Sequence, residues 1–190
     1  ELEFCGRIFK TDSDTEVIIQ SYLQWGKTCV DKFNGQFAFV IYDQSDQKLF
    51  MARDRFGIRP LFYARHNGHL IFGSEIKSIC GFPGFKPEID PDAMAEVMHY
   101  WVNLAPRTQF SNVEQLPPAN FAFIDLDSGK ITSQKYWEPD FCDAFEDRAF
   151  VSRKQCDEYA EQARELLSDA TTIRLRADVP VGAYLSGGLD

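Results

Sequence analysis

The stretch "GQFAFVIYDQSDQKLFMARDRFG" constrains the fold more than any other part of this sequence. Apolar and polar side chains alternate on both sides of the turn-forming "DQSDQ", so Phe37 to Tyr42 and Lys48 to Arg53 read as the strands of an antiparallel hairpin. Such alternation does not fit a helix, whose apolar face recurs about every 3.6 residues. "PLFYARHNGHLIFGSE" repeats the device around Asn67-Gly68, a dipeptide suited to the positive backbone angles of a tight turn. The expectation is four strands in a meander.

A helix precedes them. In "FKTDSDTEVIIQSYLQWG", Asp12 or Ser13 caps it, Glu16 stands where a capping box needs it, and Val17, Ile18, Tyr22 and Trp25 form its apolar face up to Gly26. Further on, "DPDAMAEVMHYW" is a helix capped by Asp90 with Pro91 at its first position. Two more strands, "FAFIDL" and "KITSQKYW", flank the turn Asp127-Ser128-Gly129. The acidic, aperiodic stretch "EPDFCDAFEDRAF" then marks a boundary, giving domains over 1–139 and 152–190 joined by a linker over 140–151. The second domain opens with a long amphipathic helix, capped by Ser152 with Gln155 completing a capping box and carrying Tyr159, Ala163, Leu166, Leu167, Ala170 and Ile173 on one face. After it, Val179, Val181 and Ala183 lead into Tyr184 and Leu185 as a short buried strand.

Composition narrows the function classes. With 29 acidic against 20 basic residues, a net charge of -9 and no cluster of Lys or Arg, a nucleic-acid partner is not expected. No apolar run is long enough to span a bilayer, so no membrane partner is expected either. The 5 cysteines are scattered without a C-x-x-C pair, and only 3 histidines are present. That pattern argues against a disulfide framework or a structural zinc site and fits a reducing cytoplasm, with most cysteines acting as small buried hydrophobes.

The last residues, "YLSGGLD", carry the most specific chemistry. A strand running into Ser-Gly-Gly lets backbone N–H groups approach an anion closely, and Asp190 is placed to hold a phosphate-bound Mg²⁺. The loop resembles the pyrophosphate-binding S-G-G-x-D-S pattern of the ATP pyrophosphatases, present here up to its Asp. Upstream, "FNGQFAFVIYD", "ARDRFGIRPLFY" and "GSEIKSI" resemble the glutamine amidotransferases of the N-terminal-nucleophile type. Taken in this order, the two halves resemble the glutamine-hydrolysing asparagine synthetases over essentially the whole chain.

That resemblance implies an α+β fold: an N-terminal-nucleophile-type layered sandwich of mostly antiparallel sheets with helices, followed by the first helix and strand of an α/β nucleotide-binding domain. It implies an enzyme that takes ammonia from glutamine and uses ATP and Mg²⁺ to convert aspartate into asparagine. Asp14 in "SDTEV" matches the carboxylate that holds the glutamine α-amino group, Leu185, Ser186, Gly187 and Gly188 match the ATP loop, and Asp190 matches the metal ligand. No catalytic residue is assigned. The family's nucleophile is an N-terminal Cys, and Cys5 stands too close before Asp14, with no strands between them, to take that role. The chain is accordingly read as a piece cut at both ends, itself inactive as a glutaminase. In "LPPAN", Ala119-Asn120 replace the family's usual Gly-His and point to a different subfamily. Two alternatives stay open: a related amidotransferase acting on another carboxylate, as in surface-polysaccharide modification, and a β-lactam-synthetase-like protein with a non-catalytic amidotransferase module. The oligomeric state is open between a monomer and a homodimer.

Overall fold

In the computed structural model, the described residues are 1–141, 152–184 and 187. They form two compact units, Glu1–Pro139 and Asp140–Asp190. The first unit contains α1 (Asp14–Trp25), α2 (Cys29–Lys32), β1 (Ala38–Asp43), β2 (Lys48–Arg53), β3 (Phe62–His66), β4 (His69–Gly73), α3 (Ile76–Cys80), α4 (Pro91–Tyr100), β5 (Glu114–Gln115), β6 (Asn120–Asp125) and β7 (Ile131–Lys135). The second contains α5 (Arg153–Arg174).

Both hairpins form as expected. β1 pairs with β2 from Asp43↔Lys48 to Ala38↔Arg53, and β3 pairs with β4 across Asn67 (φ 49°) and Gly68 (φ 78°). The meander does not form. β2 pairs with β6 and β3 with β5, which splits the strands into two sheets of order β1-β2-β6-β7 and β4-β3-β5. The reason is burial on both faces. In β2, Phe50 and Ala52 point to one side and pack with Cys29 and Val30 of α2 and Tyr22 and Trp25 of α1. Met51 points to the other side and packs with Tyr63 of β3 and with Leu61 and Leu116, which flank β3 and β5. On the far face of that sheet, Ala64 meets Ile79 of α3 together with Phe85 and Val113. The layers therefore run helix, sheet, sheet, helix, and a strand in the middle must be apolar at every position, as "LFMA" is.

The helix ends repay separate attention. Ser13 caps α1 by accepting from the Thr15 backbone N–H at 3.2 Å. The expected capping box is absent, because the Glu16 carboxylate is taken by the preceding segment. It accepts from the backbone N–H groups of Lys10 (3.0 Å) and Thr11 (2.8 Å) and from the Thr11 hydroxyl (2.6 Å). The Thr11 hydroxyl, followed by the Lys10 N–H, holds Glu16 below the usual carboxylate range. In α5 the capping box of Ser152 and Gln155 does form.

Helix α4 ends on Trp101 at φ 67°, a left-handed residue with its side chain 88% exposed. Glycine takes that conformation without the Cβ penalty of about 1 kcal/mol, and little burial is lost by removing an exposed ring. Trp101→Gly is therefore expected to stabilise the first unit by roughly 1 kcal/mol, read as a rise in midpoint in thermal unfolding. An unchanged or lower midpoint would show that the indole contributes more than the backbone costs.

In the second unit, residues 176–184 form no strand, contrary to the sequence reading, and Val179, Val181 and Tyr184 are exposed. The physical reason is that a strand needs a ladder partner to satisfy its N–H and C=O groups, and the described residues of this unit supply only a helix. The cysteines divide. Cys29 is buried, Cys80 partly buried, and Cys5 and Cys156 exposed, so the reading as buried hydrophobes fails for the last two; Cys142 lies outside the described residues.

Candidate functional site

A cavity of about 800 Å³ opens along β1 and the start of α1. Asp14 lines it from the first helical position, where the helix dipole favours a negative charge. Gln36 precedes β1 on another wall, Arg59 and Pro60 come from the loop between the sheets, and Ser74 and Glu75 follow β4. Ile18 and Val40 supply part of its apolar floor. Carboxylates, a guanidinium and an amide around one hollow suit a small zwitterionic ligand, whose opposite charges need opposite partners.

Beneath this cavity lies a polar knot. Asp54 is 2% exposed and Arg53 7%. The Asp54 carboxylate accepts four backbone N–H groups: Phe56 (3.2 Å) and Ile58 (3.0 Å) on Oδ1, Phe37 (3.3 Å) and Arg59 (2.9 Å) on Oδ2. The Arg53 guanidinium donates to the carbonyl groups of Gly57 (2.8 Å), Arg59 (2.9 Å) and Leu116 (2.7 Å) and to the Gln115 side chain (3.1 Å). Burial is the main influence on Arg53 and lowers its pKa, with the Asp54 charge acting against it. Ala119 joins the knot by donating its N–H to the Asp54 carbonyl at 2.9 Å, and it stands at φ 55°. A left-handed backbone at this position gives a physical reason for glycine there.

No cysteine or histidine is among the described residues lining the cavity. Burial pushes the Cys29 thiol up to about 12, so it is not the thiolate that nucleophilic chemistry requires. Of the residues matched to the ATP loop, Leu185, Ser186 and Gly188 lie outside the described residues, as does Asp190. Gly187 is described, at φ 77° with open space where a Cβ would stand. Among the described residues no group of three or more His, Cys, Asp or Glu is placed to hold a metal ion, and no helix is long and apolar enough to cross a membrane. Asp14, singled out in the sequence, lines this cavity together with Gln36, Arg59, Ser74 and Glu75, which the sequence reading did not single out. Their segments carry the amidotransferase resemblance, yet nothing in the local pattern shows that the fold gathers these side chains around one hollow.

The layering of two antiparallel sheets between helices is the fold of the N-terminal-nucleophile amidotransferases. A chain of glutamine phosphoribosylpyrophosphate amidotransferase from B. subtilis, solved with ADP and GMP, shares the fold with a TM-score of 0.50 and 20% identity, over 73% of this chain and 26% of its own. The family model for the glutamine amidotransferase domain matches residues 1–137, and this chain belongs to that family. A second model, for asparagine synthase, matches residues 162–190. The glutamine-hydrolysing asparagine synthetase 3 of Bacillus subtilis (strain 168) is 36% identical over 194 residues, covering 100% of this chain and 30% of that protein. Amidase chry2 of Gibberella zeae is 36% identical over 190 residues, covering 100% of this chain and 26% of its own length. The chain thus spans 30% and 26% of the lengths of these two relatives.

Proposed function

We propose that this chain carries the glutamine-binding unit of a cytoplasmic enzyme that makes asparagine from aspartate, with glutamine as ammonia donor and ATP as the source of activation. The observation that supports this reading most directly is the order of the two family matches in one chain, amidotransferase over 1–137 and asparagine synthase over 162–190. The first domain is assigned to 1–139 and the start of the second to 152–190. Ammonia in bulk water is mostly protonated and a poor nucleophile, so coupling its release to its use in one protein preserves its reactivity.

In this reading Asp14 holds the α-ammonium of glutamine. Leu185 to Gly188 cradle the phosphates of ATP, and Asp190 holds Mg²⁺, which would neutralise phosphate charge when bound. The left-handed backbone at Gly187 fits a tight phosphate-binding turn. A second reading, amide chemistry on a different carboxylate, is favoured by the equal identity of the fungal amidase.

The test uses the enzyme that carries this chain. Asp14→Asn removes the charge and keeps the shape, and it is expected to raise KM for glutamine by tenfold or more, about 1.4 kcal/mol of lost binding. Asparagine formation driven by added ammonium salt serves as the reference in the same preparation. An unchanged KM would remove Asp14 from the glutamine site. Formation of a product other than asparagine from a panel of carboxylates would transfer the proposal to the second reading.

A further inference from the structure

We propose that Asp54 is the positioning residue of the glutamine site, acting through the backbone of Phe37 and Arg59. The inference rests on the functional reading above and assigns a role to a residue that the sequence suggests is only a strand end.

The geometry is specific. A carboxylate has two oxygens and about four lone-pair directions. Asp54 uses them on four backbone N–H groups, and these belong to two separate segments: Phe37, which leads into β1, and Phe56, Ile58 and Arg59 in the loop that leaves β2. The backbone of Asp54 adds a fifth tie, its N–H donating to the Phe37 carbonyl at 2.8 Å. Phe37 and Arg59 both line the cavity into which Asp14 is set. The Asp54 side chain, together with its own backbone N–H, therefore joins two of the cavity walls.

Arg53 already restrains the loop from its carbonyl side, through Gly57 and Arg59, and it has no hydrogen bond to Phe37. The tie between the β1 wall and the Arg59 wall runs through Asp54. Ligand positioning is sensitive to small displacements, so a small spread of these walls registers at the ligand before it registers in the fold.

Two experiments test this. In the wild-type chain, hydrogen exchange at the Phe37, Ile58 and Arg59 amides is expected to show protection factors within about threefold of one another, since one carboxylate releases all three in the same opening. Widely separated values overturn the proposal without any variant. In the enzyme that carries the chain, Asp54→Asn keeps the volume but turns two acceptor directions into donors facing N–H groups. The expected result is a KM for glutamine raised about tenfold or more, with kcat at saturating glutamine and the ammonium-driven rate each within about twofold of wild type. Equal loss of the glutamine-driven and ammonium-driven rates makes Asp54 a stability residue and overturns the proposal. If Asp14→Asn raises KM and Asp54→Asn does not, this inference falls while the functional reading stands. If the wild-type enzyme does not use glutamine at all, both fall.

Discussion

Phe50→Ala is expected to lower the unfolding free energy by about 3–5 kcal/mol, the largest effect of any single truncation in the first unit. Phe50 is 0% exposed, and its ring centroid lies 5.0 Å from Tyr22, 5.9 Å from Phe39, 5.7 Å from Phe121 and 5.0 Å from Phe123. The ring ties α1 to three strands of one sheet. Deleting it removes the transfer free energy of the side chain, and the hollow left behind is lined by rings that sit on different elements and cannot all move inward. Phe50→Leu keeps most of the volume and is expected to cost less, about 1.5 kcal/mol. Denaturant unfolding of the two variants measures both numbers. A loss below about 1 kcal/mol for the alanine variant would mean that the aromatic cluster collapses into the space.

Gly57→Ala is expected to cost about 3 kcal/mol, from two sources that add. The backbone at Gly57 has φ 64°, which costs a residue with a Cβ roughly 1 kcal/mol. That Cβ would stand 2.8 Å from Pro118 Cγ and 3.0 Å from Arg53 Cζ and Nε. Pro118 is the tighter contact, and the guanidinium beside it must give as well; it is the buried donor to the Gly57, Arg59 and Leu116 carbonyls, so displacing it weakens charge-assisted hydrogen bonds worth about 1.5–3 kcal/mol. A shift in thermal midpoint, with the melt still cooperative, is the expected reading. A loss under about 1 kcal/mol would show that Pro118 moves aside and that the knot absorbs a methyl group without opening.

What the sequence made readable was local, and what it concealed was paired at long range. Asn67-Gly68 and "DQSDQ" announce hairpins because a turn and its flanking strands lie in one short window. The partner of β2 cannot be read that way, since Phe50 meets Phe123 and Met51 meets Ala122 across most of the unit. The one available signal was the unbroken apolar run "LFMA", which an alternating hairpin strand does not require and a strand buried on both faces does. Glu16 shows a similar limit. Its spacing from Ser13 fits a capping box, yet donors at Lys10 and Thr11 reach it first, and a short-range pattern cannot rank competitors. Asp14 was singled out through a motif, and it lines the cavity. Arg59, Glu75 and the Asp54 knot were not singled out, because their significance lies in which backbone groups the fold brings to them.

The strand order has one more implication, concerning time rather than place. Residues 114–125 pair first with β3, through Glu114 and Gln115, and then with β2, through Phe121 to Asp125. A single passage of chain therefore completes both sheets. Each hairpin is held by contacts close in sequence, whereas the pairings this passage makes with β2 and β3 are long-range. Both sheets thus depend on one passage of high sequence separation, a class of pairing that slows folding.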